Sequence, residues 1–264
     1  MKKTLIALAV AASAAVSGSA MAWEANGTGG SVNIGGSLTP AENITPWEVK
    51  TGAAVTGLDA DINKGQSVVN IAVDQAIPVL GIRTVSATAF PGQDGINPQI
   101  DFHGAIDPTQ FEAGKTQLVI DVKADDGVNK IGSLQTALTA VGIFSWKNIS
   151  NNNGNNYSIA ASEQPGDMFK GGLSTTMAGG VTTTEAQQIA PVIFPGSMDN
   201  FTDQETPSLN KYSASIAAGD ATYSAFYASG IEAGKVIKLT LDSPAQGDAP
   251  ITWKASLPIT VSYQ

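Results

Sequence analysis

The residues able to do chemistry are few. The chain has a single histidine, His103, in the run Gln99-Ile100-Asp101-Phe102-His103-Gly104. A Ser-His-Asp hydrolase would have to route its proton through this one side chain. No nucleophile elbow accompanies it, so a surface histidine at the end of a strand is the reading adopted. Asp125-Asp126-Gly127 lacks the spaced oxygen ligands of a calcium loop and reads as a hairpin turn. Gly27 to Gly36 is rich in glycine, but no Gly-Lys-Ser/Thr follows and no helix opens after it, so it makes no phosphate cradle. Asn26, Asn43, Asn148, Asn156 and Asn200 each begin an Asn-x-Ser/Thr triplet, which an Asn-, Thr- and Ser-rich composition produces by chance. The chain is therefore read as no enzyme, with no cofactor and no metal. A binding region is the better expectation. Trp146, Asn152, Tyr157, Phe169 and Lys170 lie in or beside an asparagine-rich stretch, and sugar sites combine an aromatic face with amide partners. The plain alternative makes the rings core and the asparagines turn formers.

Composition bounds where such residues can sit. Lys2 and Lys3, the apolar stretch Leu5 to Val16 and Ala20-Met21-Ala22 read as a secretory signal over 1–22. The apolar stretch is too short for a membrane span, and no later segment inserts into a membrane. Loss of the two lysines takes the formal charge from −9 to −11, which opposes nucleic acid as a partner. With 42% hydrophobic and 14% charged residues the chain can bury a large core. It has no cysteine, which excludes disulfides, a thiol nucleophile and a thiolate metal site.

The elements that must position any site are strands. Val69-Ile71-Val73, Leu118-Ile120-Val122, the face Ile237, Leu239 and Leu241, and the odd positions of Leu257 to Tyr263 repeat with period 2, between Gly, Asn, Asp and Pro breaks. That pattern predicts half-buried strands of a sandwich or barrel, a mostly β fold. One helix is expected: Thr182 and Glu185 form a capping box, and Pro191 is expected to end the run. Residues 147–180 read as a long surface loop, within an insertion spanning about 145–215.

The two ends carry the most information. The segment Trp23 to Leu38 is glycine-rich yet puts Val32, Ile34, Gly36 and Leu38 on one face. Glycine raises the cost of ordering such a segment alone. Leu257 to Tyr263 is a core-grade strand reaching the penultimate residue, which leaves a sheet edge to be filled. Both fit donation of a strand from one copy into the next. Alternation alone leaves open that residues 23–38 are the first strand of their own sheet.

The sequence resembles the FaeG/ClpG-type major subunits of thin enterobacterial fimbriae built by the chaperone–usher route. The matching stretches are the start Met1 to Val10, Gly30-Ser31-Val32-Asn33-Ile34-Gly35-Gly36-Ser37-Leu38, the box Trp47-Glu48-Val49-Lys50-Thr51-Gly52, Tyr227 to Gly234 with Thr252-Trp253, and Ile259 to Gln264. They cover the ends well and the middle poorly. The resemblance implies an incomplete immunoglobulin-like β-sandwich: a donor-strand extension over 23–40 and a pilin-type body over 41–264. Val32, Ile34, Gly36 and Leu38 would be the donor face; Leu257, Ile259, Val261 and Tyr263 would be the acceptor edge and chaperone contact. The implied partners are identical subunits, a periplasmic chaperone, an outer-membrane usher and a host-surface glycan or glycoprotein receptor. The implied location is a surface fimbria reached through the periplasm, with the major subunit itself the adhesin. The rival is a self-contained monomeric secreted β-sandwich lectin.

Overall fold

The computed structural model describes residues 25–26, 28, 34–37, 45–216 and 219–264. The signal expected over 1–22, and the donor positions Val32 and Leu38, lie outside them. The chain divides into two units, 1–43 and 44–264. In the first, Asn26 sits in a turn with φ 62°, and 34–37 are exposed and belong to no helix or strand.

The second unit is a mostly β sandwich. Its strands are β1 (Trp47–Thr51), β2 (Val68–Ala72), β3 (Ile77–Thr84), β4 (Phe90–Pro91), β5 (Pro98–Asp101), β6 (Lys115–Ala124), β7 (Lys130–Asn148), β8 (Gly154–Ile159), β9 (Ser208–Tyr212), β10 (Ala221–Ile231), β11 (Val236–Leu241), β12 (Trp253–Ala255) and β13 (Thr260–Tyr263). The long β7 is the seam. Its first half pairs with β6 and β11, and its second half pairs with β10 and β8. The main path runs β1-β3-β10-β7-β11-β2, with β12 on β6 and β9 parallel to β8. Side chains from both halves fill one interior: Ile71, Leu118, Val122, Leu134, Ile237 and Leu239 join Leu80, Ile82, Phe144, Tyr157 and Tyr227.

Local chemistry accounts for the connections. Between β6 and β7, the Asp126 carboxylate accepts from the backbone N–H of Val128 (2.9 Å) and Asn129 (3.0 Å), and Gly127 takes φ +69°. Those bonds hold the Asp126 carboxyl below its usual range, the Val128 N–H first. This is the hairpin read from the sequence. Helix α1 (Thr183–Ile193) opens on the Thr182/Glu185 capping box. It differs from expectation in running two residues past Pro191. Pro191 forfeits its own donor and crowds the carbonyl four residues back, but only one turn from the end of the helix, and Phe194 N–H still closes on the Ala190 carbonyl (2.9 Å).

The helix covers the second face of the β7/β10 region. Val141, Ile143, Phe226 and Ala228 pack there against Ala186, Ala190, Ile193 and Phe194, forming a second core. Gly81 on β3 admits the Phe194 ring: a Cβ at Gly81 would lie 2.6 Å from Phe194 Cε1. The asparagine-rich stretch is compact. Residues 149–153 are only the turn between β7 and β8, held by Ser150 N–H to Asn148 Oδ1 (2.9 Å) and Asn153 N–H to Asn151 Oδ1 (2.9 Å).

Candidate functional site

Among the described residues, the C-terminal strand β13 forms a ladder with β5 alone. They pair antiparallel from Thr260 opposite Asp101 to Tyr263 opposite Pro98, and Asn97 and Gln264 exchange backbone bonds of 3.0 and 3.1 Å beyond them. This two-stranded ribbon shares no ladder with the main sheet. The far edge of β5 is sealed by the 167–170 segment. Phe169 N–H donates to the Pro98 carbonyl (2.8 Å), Ile100 N–H to the Lys170 carbonyl (2.8 Å), and the Gln99 amide to the Asp167 carbonyl (2.8 Å). No described residue pairs with the far edge of β13. An unpaired strand edge is a template for another chain.

The face behind that edge is apolar. Leu257, Ile259, Val261 and Tyr263 alternate with exposed neighbours and pack against the main core, yet each stays half-buried. Residues of the same parity in β11, Ile237 and Leu239, are 1% and 4% exposed. The difference follows from neighbours: β11 has a strand on each side, β13 on one. At the head of β13, His103 Nε2 lies 2.8 Å from Thr260 Oγ1, and the His103 backbone N–H donates to Asp101 Oδ1 (2.7 Å). The histidine thus ties the ends of β5 and β13 together. Its exposed ring has a threonine and an aspartate as neighbours, the setting of a structural clasp.

On the other side of the expected joint, Ile34 is 95% exposed, and a Cβ built on Gly36 would meet nothing within 4 Å.

The residues singled out as a receptor region are not gathered into one face. Phe169 is fully buried, with ring centroids 6.2 Å from Trp47 and 5.4 Å from Tyr227. Tyr157 is buried beside Phe144 (5.4 Å) and Tyr212 (5.5 Å), and burial pushes its phenol pKa up. Neither ring is offered to a ligand, which corrects the aromatic-face expectation for these two. Trp146 lies half-buried over the core, opposite Tyr223 on β10 and Asn155 on β8. Asn152 is a turn residue with φ 58°. Lys170 is half-buried, its backbone bridging to β5.

Two polar clusters had no sequence signal, since their members are far apart in the chain. Arg83 reaches Glu48 (2.8 Å), Asp199 (3.4 Å) and the Gly196 carbonyl (2.9 Å), tying β1 and β3 to the turn after α1. Glu232 accepts from Thr139 (2.8 Å) and Lys115 (3.1 Å) where β6, β7 and β10 meet. Burial raises the Glu232 pKa, but these two partners outweigh it and leave the carboxyl below its usual range. Among the described residues no group of three or more His, Cys, Asp or Glu is placed to hold a metal ion, and no helix is long and apolar enough to cross a membrane.

Comparison with known proteins assigns the family. The family described as "Fimbrial, major and minor subunit", the K88 fimbrial family, matches residues 1–264. K88 fimbrial proteins AB and AD of Escherichia coli are 33% and 31% identical to this chain, and the F41 fimbrial protein of the same organism is 26% identical, each alignment covering the whole of both chains. The mostly β sandwich and the sequence together make the chain a fimbrial subunit, a member of the K88 fimbrial family.

Proposed function

We propose that this chain is the major structural subunit of a surface fimbria, and that it polymerises by donor-strand exchange and mediates adhesion to host-cell receptors, glycans first among them. The observation that carries the assembly reading is the edge of β13 with which no described residue pairs, backed by the half-buried Leu257, Ile259, Val261 and Tyr263. Val32, Ile34, Gly36 and Leu38 of a second copy would lie along it. Burying each of the three large donor side chains contributes roughly 1.5–3 kcal/mol, and each ladder bond about 0.5–1.5 kcal/mol. Ordering the donor costs about 1–2 kcal/mol per residue. The net gain is modest, and the durability of the joint comes from slow release from a closed core. Until that strand arrives, a periplasmic chaperone would cover the same edge, and an outer-membrane usher would direct the exchange.

Deletion of residues 30–38 tests this. The truncated subunit is expected to be exported and to form no fibres. Unboiled surface extracts in SDS then show a ladder of oligomers for the wild type and none for the deletion. Fibres from the deletion variant would refute the donor assignment.

A further inference from the structure

We propose that the outer edge of β2 is a second contact between copies of this chain: β2 strands of subunits in neighbouring fibres pair antiparallel about Asn70 and hold the fibres side by side. The contact is separate from the β13 joint and requires only that the chain be a fimbrial subunit. Strand edges are templates for pairing, and charges, prolines and shortness are what keep them apart. Among the described edges, β1 carries Glu48 and Lys50, and β9 carries Lys211. β12 is three residues long with Lys254 at its centre, and β4 is two residues long and ends in Pro91. β13 and β2 have no such guard. The run Ser67-Val68-Val69-Asn70-Ile71-Ala72-Val73 holds no charge and no proline. The edge of β13 has an occupant in the proposed joint, whereas no described residue pairs with the outer edge of β2.

The phase of the β2–β11 ladder fixes which backbone groups face outward. Val73 N–H donates to the Lys235 carbonyl (2.9 Å) and Leu241 N–H to the Ser67 carbonyl (2.7 Å). Ser67, Val69, Ile71 and Val73 therefore turn their backbone groups to β11, and Val68, Asn70 and Ala72 turn theirs to the outer edge. A two-fold axis at Asn70 makes that edge complementary to itself. Asn70 then faces Asn70 of the second copy and Val68 faces its Ala72, each in the hydrogen-bonded phase.

The side chains obey the same axis. On the solvent face Val236 is 50% exposed and stands opposite Ala72, and Val68 is 44% exposed. Val68 of the second copy would extend the Val236–Ala72 pair into an apolar row, and the axis repeats the row on the other side of Asn70. Between the rows the two Asn70 amides can each donate and accept. On the opposite face Val69 is half-buried although Leu239 beside it on β11 is buried, and Ile71 of the second copy would lie against it. Lys238 is opposite Asn70 on β11. Its two copies would stand three strand spacings apart, about 14 Å, beyond the screening length of about 8–10 Å. An edge of five residues is short against the roughly 20–30 residues a side of a standard interface, so two free subunits would part readily. Fibres repeat the edge along their length, and simultaneous engagement raises avidity by about 10²–10⁴-fold.

The chain has no cysteine, so Asn70→Cys introduces a lone thiol. In the proposed register the two position-70 Cα atoms lie about 5.5 Å apart, within disulfide range. Those of two Ala72→Cys copies are offset by four residues, at least about 13 Å, and cannot join. Fibres of each variant are purified reduced, oxidised with copper phenanthroline and boiled in SDS without reductant. Asn70→Cys is expected to give a covalent dimer and Ala72→Cys only monomer. A third variant, Asn70→Lys, guards the edge with a charge. It is expected to leave the exported amount and the unboiled SDS ladder at the wild-type level, and to lower the share of side-by-side fibres in electron micrographs at least about tenfold as the avidity gain is lost. No cross-link in Asn70→Cys, equal cross-linking of both cysteine variants, or undiminished alignment of Asn70→Lys fibres would overturn the lateral contact and leave the β13 joint standing. Collapse of the unboiled ladder in Asn70→Lys would seat the donor strand on β2, overturning the lateral contact and the β13 assignment together.

Discussion

Ile34 is the most direct probe of assembly. It is 95% exposed in the folded chain, so nearly all of its side-chain surface is available for burial in a neighbour. Full burial of an isoleucine contributes about 1.5–3 kcal/mol. Ile34→Val deletes one methylene, worth about 0.8 kcal/mol, and weakens the joint about fourfold. In the proposed joint, Ile34→Asp forfeits the whole transfer term and would place a carboxylate against Leu257, Ile259 and Val261, at several kcal/mol more. A total near 5 kcal/mol weakens the joint by about 10³–10⁴-fold. The assay is the SDS ladder of unboiled fibres across a urea series: Ile34→Val lowers the urea concentration at which the ladder collapses, and Ile34→Asp yields no ladder. An exposed position contributes nothing to its own fold, so the amount of exported subunit stays at the wild-type level for both variants. Two results would refute the reasoning: wild-type ladders from Ile34→Asp, or a loss of exported subunit that follows the side chain removed. The second would mean that Ile34 belongs to the core of its own chain.

Two further outcomes test the body of the subunit. Gly81→Ala drives a methyl group to 2.6 Å from the Phe194 ring; overpacking of this kind costs about 1–3 kcal/mol and lowers Tm by about 2–4 °C per kcal/mol in a domain of this size. An unchanged Tm would show that the Phe194 ring is not seated against Gly81 of β3. Glu232→Gln probes the junction of β6, β7 and β10. The Glu232 carboxyl titrates below its ordinary value of 4.5 in the folded chain, so its stabilisation is present above that pH and lost as pH falls through the folded value. The urea midpoint of Glu232→Gln should lie below that of the wild type at pH 7, and the two should converge as pH falls through the folded value of the carboxyl. A gap that does not narrow on acidification would exclude the ion pair as its source.

Legibility in the sequence followed burial. β11 and the middle of β6 show period 2 because one face is in the core and the other in solvent. The second half of β7 shows none, because Phe144 enters the main core while Val141 and Ile143 meet α1, leaving no polar face to alternate. The capping box of α1 was readable from four residues; the two residues beyond Pro191 were not, because the packing of Ile193 and Phe194 holds them. Phe169 misled because the surrounding Asn and Gly report turn propensity and say nothing of which ring turns inward. Its burial is decided by backbone bonds to β5, some 70 positions away. The alternation of Leu257 to Tyr263 was plain, while its partner at 98–101 required the fold.

The asymmetry of the β5–β13 ribbon gives the proposed fibre its economy. Had the 167–170 segment not closed the far side of β5, the ribbon would carry two open edges, and a donor could lie on either. With β5 sealed, a second copy is left one apolar-backed edge on this ribbon, which favours a linear chain of joints over branching.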